Sequence, residues 1–190
     1  MRLWLHESER VYGDRLVSQD HVAKLKQLAH TQAKKRFPSV PLAGYYSESN
    51  PDPLVFCHFA ESAHDKTYEE ATSMERLQAV LNAALREYNE SHATMELVLF
   101  HDAVAHVARI ARIIMSPGGH ALLVGVGGSG KQSLARLAAH VCELSVQTLQ
   151  VSAQYTMTDF RDELKSMCYK AGVKDEQVML LLRDSNIVHE

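Results

Sequence analysis

Ala121-Leu-Leu-Val-Gly-Val-Gly-Gly-Ser-Gly-Lys-Gln-Ser133 is the stretch on which the fold turns. Ala121–Val124 is a short continuous apolar run, as a buried parallel strand requires. Gly125, four residues, then Gly130 and Lys131 give the G-x-x-x-x-G-K core of a phosphate-binding loop. Behind it Leu134, Leu137 and Val141 mark one face of a helix expected from Gly130 to about Cys142. Glycines let such a loop take positive φ and curl its amides around phosphate oxygens. The helix adds its free N–H groups and positive end, and the lysine a charge for the terminal phosphates. The candidate nucleotide-binding residues are Gly125, Val126, Gly127, Gly128, Ser129, Gly130, Lys131, Gln132 and Ser133. The plain alternative is a structural glycine turn between strand and helix.

Gln132 departs from the pattern, because a magnesium-binding Ser or Thr normally follows the lysine. Ser133 comes one step later, about 100° further round the helix. Val178–Leu182 is a second strongly apolar run, and it leads into Arg183-Asp184-Ser185. An aspartate after such a run holds magnesium, and a following glutamate polarises the attacking water. Asp184 suits the first role, whereas Ser185 stands where the glutamate belongs and is no base near neutral pH. Ser133 and Asp184 are therefore the metal candidates, for a weakly held Mg2+. Asp184 as an ordinary strand-end turn residue is the alternative.

Working outward, Ser145–Val151 alternates weakly as a strand does, and Thr158 opens a helix carrying Phe160, Leu164 and Met167. Strand, helix, strand, helix, strand predicts an α/β fold, a doubly wound parallel sheet of the P-loop NTPase kind. A helical region precedes it. Leu3, Trp4, Val11 and Tyr12 are spaced for one apolar face. A second helix, capped by Asp20 and running to about Lys35, is expected to bury Val22, Leu25 and Leu28. Pro38 and Pro41 stop it, and residues 39–53 have loop composition. Leu54–Phe59 suits a short strand or extended segment. Thr72-Ser-Met-Glu75 has capping-box form. Met74, Leu77, Leu81, Ala84, Leu85 and Tyr88 then follow a 3.6-residue period, with a break from Asn89 to His92. A further helix, about Asp102 to Met115, carries Val104, Val107, Ile110, Ala111 and Ile114 and ends at Pro117-Gly118-Gly119.

The composition is ordinary for a globular domain: 190 residues, 46% apolar and 23% charged, with a net charge of −3. That balance argues against a protein built to hold nucleic acid. No apolar run is long enough to span a bilayer, and the N-terminus has no signal-peptide core. Three separated cysteines suit a reducing compartment. The 11 histidines show no metal-ligand spacing.

Gly119-His-Ala-Leu-Leu-Val-Gly-Val-Gly-Gly-Ser-Gly-Lys-Gln-Ser-Leu134, with Arg136-Leu-Ala-Ala139, resembles the fourth AAA+ module of axonemal (ciliary) dynein heavy chains, where the K-Q-S variant is usual. Met95–Ala103 with His106–Ile110 resembles the lead-in helix of that module. Leu3–Glu7, Arg10–Tyr12 and Asp14–Leu16 resemble the closing helices of the third module, and Asp184-Ser185-Asn186 a degenerate second nucleotide motif. The resemblance implies a division into 1–40, the helical end of one AAA+ module; 41–94, a connecting loop and helix; and 95–190, the incomplete start of the next. It implies ATP or ADP as ligand at a regulatory, non-hydrolysing site, with Leu97 to Leu99 lining the adenine pocket. It also implies the sheet order 5-1-4-3-2, with a strand between Ala121–Val124 and Val178–Leu182. The implied partners are the rest of the heavy-chain ring and, through the full-length protein, intermediate and light chains and microtubules. No nucleic acid or membrane partner is implied. The implied location is the cytoplasm, the cytoskeleton and the axoneme of a cilium or flagellum. A free-standing P-loop kinase or small NTPase and a non-catalytic interaction module are the competing readings.

Overall fold

The computed structural model describes residues 1–40, 54–64, 66–152 and 154–187. The chain opens with helix α1 (Arg2–Ser8), which runs into a π-helical turn (Glu9–Gly13), and continues in α2 (Gln19–Arg36). Strands β1 (Phe56–Cys57) and β2 (Glu69–Glu70) form an antiparallel pair with Phe56 opposite Glu70. Helices α3 (Met74–Ser91), α4 (His101–Met115) and α5 (Lys131–Val141) follow. Strand β3 (Ser145–Gln147) then pairs in parallel with β4 (Val178–Leu180) across helix α6 (Met157–Val173). A 3₁₀ turn, Asp184–Asn186, comes last among the described residues.

The core lies where α3, α4 and α5 meet beneath β1. Leu77 and Leu81 from α3, Val104 and Val107 from α4 and Leu137 from α5 are fully buried in it, with Phe59 from the turn after β1. The expected 3.6-residue faces of α3 and α4 are the faces found inward, because two helices sharing one core need matching apolar stripes. Truncating one such leucine to alanine removes roughly 2–5 kcal/mol.

Several expectations are corrected. Ala121–Val124 forms no strand: it is extended and unpaired among the described residues, with Leu122 88% and Val124 87% exposed. An apolar run is buried as a strand only if neighbours supply both ladders, and none flanks it here. The described sheet is therefore a pair of two-stranded ladders, not a doubly wound sheet. The β3 and β4 pairings are also shorter than the 145–151 and 178–182 spans expected.

Leu3, Trp4, Val11 and Tyr12 point outward, and Leu5 and His6 are buried instead. The wider π turn breaks the 3.6-residue register on which the expected face rested. In α2 the small Ala29 and Ala33 face inward while Leu28 is exposed, and Ser18 rather than Asp20 is the N-cap residue. The cap of α3 lies one residue on from Thr72: Ser73 accepts from Arg76 N. Residues 95–100 are extended rather than part of the lead-in helix, which starts at His101. Helix α6 begins at Met157, and the capping box sits at Thr156 and Asp159. From residue 41 to 53 the expected loop lies outside the described residues.

Candidate phosphate-binding site

The glycine-rich loop has the backbone that its sequence requires. Gly128 (φ 76°) and Gly130 (φ 74°) both occupy the left-handed region, and Gly130 caps α5. An L-residue there costs about 1–2 kcal/mol. Among the described residues, the Gly127, Gly128 and Gly130 amides have no hydrogen-bond acceptor, while Ser129 N reaches only Val126 O at 3.4 Å. These open donors sit at the N-terminus of an 11-residue helix, so amides and helix dipole act on the same point.

Lys131 folds back over the loop. Its Nζ donates to Gly125 O (2.8 Å), Val126 O (2.7 Å) and Ser129 Oγ (3.2 Å). None of these acceptors is a carboxylate, so the full charge remains available to an anion entering the curl. The loop is exposed to solvent throughout Gly125–Ser129.

Leu97 supports the loop from behind. A Cβ on Gly130 would stand 3.7 Å from Leu97 Cδ1. Met95, Leu97 and Leu99 face inward while Glu96, Val98 and Phe100 face out. Two side chains of α3 hold this segment. Asn89 accepts from Met95 N (2.8 Å) and donates to Met95 O (3.2 Å), mimicking a strand partner, and Gln78 Nε2 donates to Leu99 O. Neither Gln78 nor Asn89 was found from sequence. In sequence Asn89 only opens the break that runs to His92, and Gln78 carries no signal of its own.

The second half of the candidate site is positioned but separate. Asp184 sits exposed in the 3₁₀ turn. Asn186 fixes that turn: its Oδ1 accepts from Arg183 N (2.9 Å) and its Nδ2 donates to Leu149 O (3.2 Å) beyond β3. No hydrogen bond or ion pair joins Asp184 to Lys131 or Ser133 among the described residues. Gln132 is exposed and Ser133 half-buried on the first turn of α5. No group of three or more His, Cys, Asp or Glu side chains among the described residues is placed to hold a metal ion. The loop's donor set thus fits a phosphate, while magnesium would find only Ser133 and a detached Asp184.

Comparison with known proteins agrees with this geometry. Residues 95–190 match the family model for the P-loop containing dynein motor region D4, and residues 1–42 the model for an AAA+ lid domain. The chain is 52% identical over 189 residues to the dynein alpha chain of the flagellar outer arm of Chlamydomonas reinhardtii. It is 43% identical over 190 residues to human dynein axonemal heavy chain 17, and 41% over 189 to the ciliary dynein beta chain of Tripneustes gratilla. In each case all of this chain is covered but only 4% of the relative's length. The chain therefore belongs to the dynein heavy chain family, of whose motor it carries the P-loop containing D4 region.

Proposed function

We propose that this chain is a nucleotide-binding part of an axonemal dynein heavy chain, seating the phosphates of ATP or ADP in Gly125–Gln132 as a regulatory rather than hydrolysing site. The observation that carries this reading is the loop itself: open amides at the start of α5, two left-handed glycines and a lysine charge that no carboxylate among the described residues neutralises. Bound nucleotide would bring the transferable phosphate, and Mg2+ would supply positive charge to offset that of the phosphate. The chain's residues orient those oxygens, with Lys131 on the terminal phosphates and Ser133 and Asp184 holding the metal weakly. Ser185 supplies no base for water, so turnover stays at background. The segment from Leu97 to Leu99 is the one we assign to the adenine side.

Residues 1–40 are read as the closing helices of one AAA+ module, 41–94 as a connector and 95–190 as the start of the next. The adjacency and parallel sense of β3 and β4 support the sheet order 5-1-4-3-2. In that order Ala121–Val124 becomes a central strand of a doubly wound sheet once a strand lies beside it. Through the full-length protein the partners are the rest of the ring, intermediate and light chains and microtubules, in the axoneme of a cilium or flagellum. The reading as a free-standing kinase or small NTPase is set aside, since the matches are to dynein heavy chains.

A fluorescent adenine nucleotide titrated with and without Mg2+ tests this. Lys131→Ala should weaken binding about 10–150-fold, since a charged contact contributes about 1.5–3 kcal/mol. Omitting Mg2+ should matter far less. Equal affinity of variant and parent, or phosphate release that disappears in Lys131→Ala, would overturn the reading.

A further inference from the structure

A second feature lies far from the phosphate loop in function and in chemistry. Between the π-helical turn and α4 is a small cavity of ≈ 50 Å³, lined by His6, Glu9, Arg10, Arg109 and Arg112 together with apolar groups from β1 and α4. That is several times the roughly 10–15 Å³ one water needs. Three guanidiniums meet there, from two parts of the chain.

Their hydrogen bonding is incomplete. Among the described residues, Arg10 Nε and Arg109 Nε are buried without a hydrogen-bond partner. Arg10 directs its terminal nitrogens at Glu9 (3.5 Å) and Asp14 (3.4 Å), but Glu9 is shared with Lys26 (3.5 Å). Asp14 is shared with Arg109, whose Nε stands 3.9 Å from it, too far for a hydrogen bond. Arg112 is committed to Glu7. A buried, unpaired N–H of a charged group is costly and calls for an acceptor. Burial lowers the Arg10 pKa from its ordinary value, and Arg109 and Arg112 press the same way against Asp14 and Glu9. His6 is the remaining polar wall. Its Nδ1 donates to Leu54 O (2.8 Å), leaving Nε2 as an unpartnered acceptor in the neutral ring.

Arg10 lies within the π turn Glu9–Gly13, and single π turns recur at functional sites.

We propose that this cavity is a binding site for a small inorganic anion, a halide or an oxyanion such as phosphate, seated on the Nε–H groups of Arg10 and Arg109. The Glu7, Glu9 and Asp14 carboxylates offset the three guanidinium charges but leave the two Nε–H donors unmet; an anion would meet both donors with a charge-assisted bond that water cannot make. Because Arg10 belongs to the N-terminal helices and Arg109 to α4, the anion joins the two.

The test is thermal unfolding of the full chain at fixed ionic strength, with sodium gluconate (too large for the cavity) replaced stepwise by chloride, nitrate or phosphate. The phosphate arm uses Lys131→Ala, so that the loop at α5 does not contribute. At ten times the dissociation constant the midpoint should rise by roughly 3–6 °C. Chloride acting alone identifies a halide site, and phosphate acting alone an oxyanion site. Arg10→Met should abolish the rise. If Arg10→Met does not fold, Arg109→Gln carries the same comparison. Chlorine NMR gives an independent reading: protein-dependent line broadening should disappear in Arg109→Gln. Midpoints equal in gluconate and in every small anion show a site for water only and overturn the proposal. So does an anion-dependent rise that survives in both variants.

Discussion

Replacing Glu7 with alanine removes one carboxylate that two other elements depend on. Arg112 Nε reaches both Glu7 oxygens at 3.1 Å, its Nη2 makes a further bond, and Tyr68 Oη donates to Oε1 at 2.7 Å. The pair is partly shielded, the side chains being 22% and 33% exposed. A fully exposed ion pair contributes about 0.2–1 kcal/mol, whereas bonds to charged groups reach about 1.5–3 kcal/mol when buried. The bidentate, half-buried geometry belongs between these limits. We expect about 2 kcal/mol for Glu7→Ala and a similar loss for Arg112→Ala, with a coupling of about 1–1.5 kcal/mol between them.

For a chain of this size each single variant should melt about 4–8 °C lower. The assay is a double-mutant cycle by denaturant unfolding, repeated across pH. Burial pushes the Glu7 carboxyl up, but the bonds from Arg112 and Tyr68 outweigh it and hold the group below its ordinary value of 4.5. A carboxylate with a depressed folded-state value stabilises above the unfolded value and loses that effect as pH falls through the folded one. The coupling should therefore be full at pH 7 and vanish in acid below 4.5. A coupling within about 0.3 kcal/mol of zero at pH 7, with both variants folded, would refute the reasoning.

Gly130→Ala should weaken nucleotide binding about 5–30-fold, because a left-handed alanine costs about 1–2 kcal/mol. The new methyl has room beside Leu97, so circular dichroism should show the fold unchanged while the titration shifts. His140 sits in a cleft with His64, Glu87, Tyr88, His92 and Arg136. Burial lowers its pKa from 6.5, with His92, His64 and Lys66 adding to the effect and Glu87 opposing it. The neutral form is thus favoured on folding, and stability should fall as pH drops below 6.5. His140→Gln should flatten that limb in urea midpoints measured from pH 7 to pH 5; an unchanged slope would count against the role. For the thiols, burial raises Cys57 to about 11 and Cys142 to about 12, whereas Cys168 is exposed. A thiol reagent at neutral pH should label one cysteine of the native chain and all three in denaturant, as mass spectrometry would count.

The phosphate loop and the inward faces of α3 and α4 were legible because their determinants are local. A glycine needing positive φ, a lysine following it and a repeat of Leu77, Leu81 and Leu85 declare themselves within a few residues. What failed depended on distance or on broken period. Ala121–Val124 has the composition of a buried strand, but strandedness belongs to a pair, and the pairing partner cannot be read from four residues. Trp4 and Tyr12 were assigned inward by an α-helical period that the π turn interrupts. Ala29 and Ala33 face inward because small side chains allow close approach, and a pattern of large apolar residues does not mark them. Gln78, Asn89 and Asn186 shape the site through bonds to backbone atoms, and nothing in their local pattern announces such a target.

The bond from Arg112 to Glu7 also sets a timetable. The two residues stand 105 positions apart, and Arg2 is separated from its partner Glu70 by 68. Helix α1 leaves the ribosome before α4, so the surface that receives it does not exist until α4 has been made. At about 5–20 residues per second that wait lasts on the order of 5–20 s. During it Leu5 and His6 have no burial site, so these residues are placed only well after they are made. The order should persist in the finished molecule in reverse: amide exchange should open α1 at lower free energy than α3 and α4, whose mutual contacts close over far shorter spans.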